Sequence, residues 1–159
     1  MYLNPRKRKG QSKEKKMKKY KTQEEFLAEV KNRVFSSGES IDITEFDLTI
    51  EVKIEVTGDI NACNIDVQDI FAGGNINARD IFAWNISAGG NINARDIDAA
   101  GNINAWNINA QNINAQNINT AGEITVKGDI NIKGNISAWL IIARNIKTSG
   151  AGAGTETSN

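Results

Sequence analysis

From Gly58 to Ile146 an isoleucine returns at every fifth or sixth residue, with asparagine, alanine and glycine filling most of the space between. Ile60, Ile76, Ile92, Ile108 and Ile124 stand sixteen apart, and the octet GNINARDI at 74–81 recurs letter for letter at 90–97. The intervening isoleucines (Ile65 and Ile70, Ile81 and Ile86, Ile97 and Ile103, Ile113 and Ile118, Ile130 and Ile136) divide each sixteen into sides of five, five and six. Repetition of this kind defines a solenoid, because one unit can bury its apolar face only against the next. Three sides per coil predict a three-sided parallel β-helix, an all-β solenoid of about 16 residues per coil (5+5+6). A period of five excludes an α-helix over this stretch.

The side is written N-I-x-A-x, as in Asn107-Ile108-Asn109-Ala110-Gln111. In a strand, residues two apart share a face, so Ile and Ala point inward and the residue between them points to solvent. The remaining pair turns the corner, and Asn, Asp and Gly there suit left-handed backbone and local side-chain bonds. Asparagine-rich tracts are often disordered or prion-like. Isoleucine kept in register over five coils has no place in such a tract.

Before the coils the pattern changes twice. Thr22 to Phe35 reads as an amphipathic helix, with Thr22 and Glu25 at capping-box spacing, Phe26, Val30 and Val34 on one stripe, and Gly38 just past its end. Such a helix is expected to cap the N-terminal edge, since exposed strand edges invite further pairing. From Ile41 to Val56 strict alternation (Phe46, Leu48, Ile50, Val52, Ile54, Val56) predicts a long half-buried strand or an irregular first coil. The expected divisions are a basic disordered tail at 1–21, a capping helix at 22–37, irregular first strands at 38–57, the regular β-helix at 58–147 and a Gly-rich disordered tail at 148–159. At about 4.8 Å per coil, the regular part makes a rod near 25 Å long.

Composition adds a charge asymmetry. The 159 residues balance at 19 basic against 19 acidic, yet residues 6–21 hold ten Lys or Arg against Glu14 alone. Arg6, Lys7, Arg8, Lys9, Lys15, Lys16, Lys18 and Lys19 are expected to contact an anionic surface, either membrane lipid, with Tyr2 and Leu3 inserting, or nucleic acid. The plain alternative is a solvated tail. Met17 is an alternative start that would remove most of the basic run. The lone Cys63 allows no intramolecular disulfide and reads as an incidental corner residue. No apolar run approaches 18 residues and no signal-peptide pattern opens the sequence, so a cytoplasmic protein is expected, with the tail able to hold it at a membrane.

Enzymatic chemistry finds no foothold. Histidine is absent, zinc lacks ligands, and the Gly-rich tail precedes neither Lys-Ser nor Lys-Thr, so no catalytic residue, metal, cofactor or small-molecule substrate is expected. Stacked corners place Arg79, Arg95, Gln111 and Lys127 in one column beside Asp80, Asp96 and Asn112, read as solvated charges. Trp84, Trp106 and Trp139 fall at corners without forming a single column. The last coil departs from the rule. Ala138-Trp139-Leu140-Ile141-Ile142-Ala143 puts Leu140 at a corner and Ile142 at an outward position. Trp139, Leu140, Ile141 and Ile142 are therefore the expected self-association surface, giving a homodimer or a polymer.

Two families resemble this stretch. Ala78-Arg79-Asp80-Ile81 resembles the sides of pentapeptide-repeat proteins, although their four-sided coils place the small residue directly before the Asp or Asn. The G-x-I sides Gly122-Glu123-Ile124, Gly128-Asp129-Ile130 and Gly134-Asn135-Ile136 resemble bactofilins, the polymer-forming bacterial cytoskeletal proteins. That resemblance implies a right-handed three-sided β-helix, nucleotide-free polymers built end to end, and a short apolar and basic N-terminal membrane motif. The leading functional expectation is a non-enzymatic scaffold that self-associates through its C-terminal coil. The alternative is a binding protein, an inhibitor or decoy of a nucleic-acid enzyme in pentapeptide-repeat style. The eight acids against five bases over 58–146 are sparse for such mimicry.

Overall fold

Each inward isoleucine sits over the one a turn earlier. Ile41, Ile60, Ile76, Ile92, Ile108, Ile124 and Ile141 are successive partners in parallel strands, and so are Ile65, Ile81, Ile97, Ile113, Ile130 and Ile146. The structure is a computed structural model and describes residues 16–149. It is a parallel β-solenoid of about seven turns with about 16 residues per turn, mostly strand with little helix.

Three columns of strands form its sides. The first runs from Met17–Lys19 through Ser40–Ile43 and Ile60–Ala62 to Leu140–Ile142, eight strands in all. The second begins with the leading part of Leu48–Val56 and ends at Asn145–Thr148, and the third runs from Val34–Ser37 to Ile136–Ser137. Leu48–Val56 and Asn64–Ala72 each pass unbroken from the second side to the third, which joins those sides into one sheet of 12 strands. The isoleucines from 41 to 130 on these columns are fully or almost fully buried. The alanine two residues on, as at Ala62, Ala72, Ala88, Ala99, Ala110 and Ala115, is buried with them. A methyl at every second inward position keeps the interior narrow enough to fill without voids.

The corners are bonded differently from the expected local turns. The amide oxygen of a corner asparagine accepts the backbone N–H of its successor one coil later: Asn91 N–H donates to Asn75 Oδ1 at 2.8 Å, Glu123 N–H to Asn107 at 2.7 Å and Asn135 N–H to Asn117 at 2.8 Å. Outward asparagines also form a ladder, Asn77 to Asn61, Asn93 to Asn77 and Asn109 to Asn93, each at 2.9–3.0 Å. Asparagine is thus selected for bonds along the rod axis, which satisfy backbone groups that a corner cannot pair within a strand.

Glycine is likewise selected by space, since none of the glycines from Gly38 to Gly134 has positive φ. A side chain on Gly122 would meet Asn107 Oδ1, and one on Gly89 would run into the backbone carbonyl of Gly73. An amide can swing aside, but a carbonyl in a stacked coil cannot. Gly89→Ala is therefore expected to cost about 1–3 kcal/mol, the range for overpacking. Urea denaturation checks this, and an unchanged midpoint would contradict the close approach.

The N-terminal divisions need correction. The predicted helix over 22–35 is only Gln23–Leu27, capped by Thr22, whose hydroxyl accepts Glu25 N–H at 3.2 Å. Asn32 and Arg33, at φ 50° and 61°, form a tight reversal in which Lys31 and Val34 exchange both backbone bonds at 2.9 Å. That turn ends the helical path and lets Val34–Ser37 enter the third side, so Val34 belongs to a strand and not to a helix stripe. The basic tail predicted at 1–21 is structured at its end, because Met17–Lys19 pairs with Ser40–Ile43; residues 1–15 lie outside the described residues. Coils therefore begin well before Gly58, and seven 4.8 Å steps make the rod about 34 Å long.

Candidate functional site

The two ends of the solenoid are built differently. At the N-terminal end Tyr20, Phe26 and Phe35 are all buried. The Phe26 and Phe35 rings stack at 4.1 Å, and Tyr20 meets both edge to face at 5.4 and 5.7 Å. These three rings plug the core where the isoleucine columns would otherwise open to water, and aromatic pairs of this geometry add to their area burial. The short helix serves this purpose by delivering Phe26.

Polar groups hold the plug in place. The Tyr20 hydroxyl donates to Glu29 at 2.9 Å, and Lys18 bonds the other oxygen of the same carboxylate. The Lys18 bond, reinforced by Tyr20, holds the Glu29 carboxyl below the usual range against partial burial. Burial first, and then the bond to Glu29, push the Tyr20 phenol up to about 12. A phenol raised in the folded state stabilises fully below its unfolded value near 10, and that contribution is lost as pH rises through about 12. Wild-type protein is thus expected to lose melting temperature between about pH 10 and 12, and Tyr20→Phe to lose less. Equal losses by calorimetry would rule out this role for Tyr20.

These contacts change the reading of the tail. Lys18 is paired with Glu29, and Lys19 with Glu45 at 2.9 Å and Asp42 at 3.7 Å, so neither is a free contact for an external anion. The Lys19 pairs tie the first strand to the coil beneath it, and the Lys18 pair ties it to the segment that follows the short helix. Lys16 is exposed at the start of the described chain, while Arg6, Lys7, Arg8, Lys9 and Lys15, with Tyr2 and Leu3, lie outside the described residues.

At the C-terminal end the columns run out. Ile136, Ile141 and Ile146 are only half-buried, whereas their partners one coil earlier, Ile118, Ile124 and Ile130, are buried. Among the described residues no strand pairs with the outer edges of Ile136–Ser137, Leu140–Ile142 and Asn145–Thr148. Ile141 points inward beneath Ile124, so Leu140 and Ile142 project outward, over Glu123 and Thr125. Ile142 is 53% exposed and Trp139 78% exposed. All four predicted residues therefore lie together on the last coil, one facing the open core and three on its flank.

The three tryptophans need a finer description. Trp106 and Trp139 share one corner column, with Gly122 between them: Gly122 N–H donates to the Trp106 carbonyl and Trp139 N–H to that of Gly122, both at 2.9 Å. The extra residues of the six-residue sides shift this register away from a plain multiple of sixteen. Trp84 stands alone at another corner, above Gln68.

The charged column closes on itself. Arg95 straddles Asp80 of the coil before, at 2.9 and 2.5 Å, and bonds Asp96 at 3.1 Å. Cys63 is half-buried, and the Asp47 carboxylate, with burial second, raises its thiol above the usual range. Among the described residues there is no group of three or more potential metal-ligating side chains, and no helix is long and apolar enough to cross a membrane. Sequence reasoning missed Tyr20, which sits within the basic run, and Phe82, exposed on the strand that leads to the corner Trp84. Compared with family models, curated proteins and solved structures, the chain has no match in any of the three.

Proposed function

We propose that this chain is a non-enzymatic scaffolding solenoid that self-associates through its C-terminal coil. The observation carrying this reading is the contrast between the ends: an aromatic plug on one, and on the other half-buried isoleucines beside exposed Trp139 and Ile142. An unpaired parallel edge with an apolar flank is a template for a further strand. Because aromatic rings cover the core at the N-terminal end while half-buried isoleucines face out at the other, the two ends are not alike, and the self-complementary solution joins two C-terminal coils about a two-fold axis. Stacking of this kind closes at a dimer and does not run on into a filament. The basic run through residues 6–16 gives such a dimer a means of holding to an anionic lipid or phosphate surface.

Leu140→Asp combined with Ile142→Lys places charge on the outward flank without touching the buried columns. Light scattering after gel filtration is expected to read a monomer for this variant and a dimer for the wild type, with unchanged far-ultraviolet circular dichroism. A variant that keeps the wild-type mass would sink the interface. The decoy reading has no observation of comparable weight, since the acids on the coils are few and Asp80 is already bonded to Arg95.

A further inference from the structure

A groove of about 770 Å³ lies on the second side near the N-terminal end, lined by residues that include Arg33, Glu51, Asp66, Phe82, Trp84 and Asp98. Its floor is a column. Asp66, Phe82 and Asp98 are register partners on three successive strands, all pointing outward, so a phenyl ring lies between two carboxylates. Phe82 is 47% exposed and the neighbouring Trp84 63% exposed. Among the described residues Arg33 is the one cation lining the groove, and it is taken up by the Glu51 carboxylate at 3.0 Å and the Glu51 carbonyl at 3.2 Å. Among the described residues no lysine or arginine bridges Asp66 or Asp98.

The third side shows what such a column accommodates. There Glu55 and Phe71 are register partners, and Lys53 places its ammonium 4.5 Å from the Phe71 ring centroid and 2.6 Å from Glu55. A carboxylate beside an outward phenyl thus captures a lysine, by cation–π attraction and ion pairing together. The second side repeats the arrangement with a second carboxylate and no described cation upon it.

We propose that the groove is the docking site of the chain's own basic segment, residues 6–15, with a lysine or arginine lying over Phe82 between Asp66 and Asp98. Charge complementarity selects this occupant: the segment carries Arg6, Lys7, Arg8, Lys9, Lys13 and Lys15 against Glu14. Reach permits it. The described chain begins at Lys16, at the N-terminal rim of the first side, and ten extended residues span about 33 Å, against about 17 Å for one five-residue side. Tethering also gives the segment an effective concentration on the order of millimolar, which makes weak ion pairs sufficient. Docked there, the segment is withheld from an external anionic surface, so groove and surface compete for the same cations.

The test uses full-length protein with Trp106→Phe and Trp139→Phe, leaving Trp84 as the single reporter and removing the C-terminal tryptophan from the measurement. Acrylamide quenching of Trp84 at low salt is expected to be about twofold weaker than in the same protein with the six basic residues of 6–15 changed to glutamine. High salt, or Asp66→Asn with Asp98→Asn, is expected to raise quenching to the level of the glutamine variant. Protection should be independent of protein concentration. Equal quenching in all these proteins would overturn the proposal, and protection that grows with concentration would overturn it in favour of a second molecule as the occupant. Neither result depends on whether the C-terminal coil self-associates.

Discussion

Replacing Phe26 by alanine is expected to cost about 3–5 kcal/mol, the largest loss of any single substitution outside the isoleucine columns. The ring is fully buried, stacked on Phe35 at 4.1 Å and met by Tyr20 at 5.4 Å, so its removal opens a cavity directly over the core. The helix carrying it has five residues and too few internal bonds to persist alone. Loss of the ring therefore frees the helix as well, exposing the core at the N-terminal end. Guanidinium denaturation would register the lower stability. A second signature is specific to the plug: the variant should have an open apolar core at each end and begin to form assemblies larger than a dimer. Phe26→Leu, which keeps most of the volume, is expected to recover a good part of both properties.

The second large effect is Ile92→Ala, expected to cost about 2–5 kcal/mol. Ile92 is fully buried between Ile76 and Ile108, in the middle of the first side. In a stacked repeat each coil contacts only its neighbours, so a cavity here weakens two interfaces at once and no distant contact compensates. The same change at Ile146, half-buried in the last coil, should cost distinctly less. Equal losses at the two sites would mean that the last coil is already covered to the same degree as the interior. The pair of variants thus measures the coverage of the C-terminal end through stability alone, independently of molecular mass.

The sixteen-residue period made the solenoid legible because Ile and Ala two apart can share a buried face only in a strand. What the period could not carry was bonding along the axis. Corner asparagine is compatible with a left-handed turn, and only stacking reveals that its oxygen meets the backbone N–H of the next coil, as Asn107 does for Glu123 at 2.7 Å. Glycine was misread for the same reason. The constraint on Gly89 comes from Gly73, sixteen positions away in sequence and adjacent in space.

The N-terminal region was harder to read, because a short segment there supplies several different elements. Thr22 and Glu25 do cap a helix, but Asn32 and Arg33 reverse the chain before the apolar stripe can extend it. Tyr20 and Lys18 were absorbed into a basic run, although their partner Glu29 lies only nine and eleven residues on. The last coil was legible as an exception, since Leu140 stands where a corner Asn or Asp is usual and Ile142 extends the run to six apolar residues. The groove at Phe82 was not, because one apolar residue at an outward position acquires meaning only with Asp66 and Asp98 stacked on either side of it.

Sedimentation velocity on the full-length protein over a concentration series tests the central claim most directly. The account predicts two boundaries, monomer and dimer, with the dimer growing as concentration rises and nothing heavier appearing. A monomer at every concentration would contradict association through the C-terminal coil, and an open-ended series of larger species would contradict the plug.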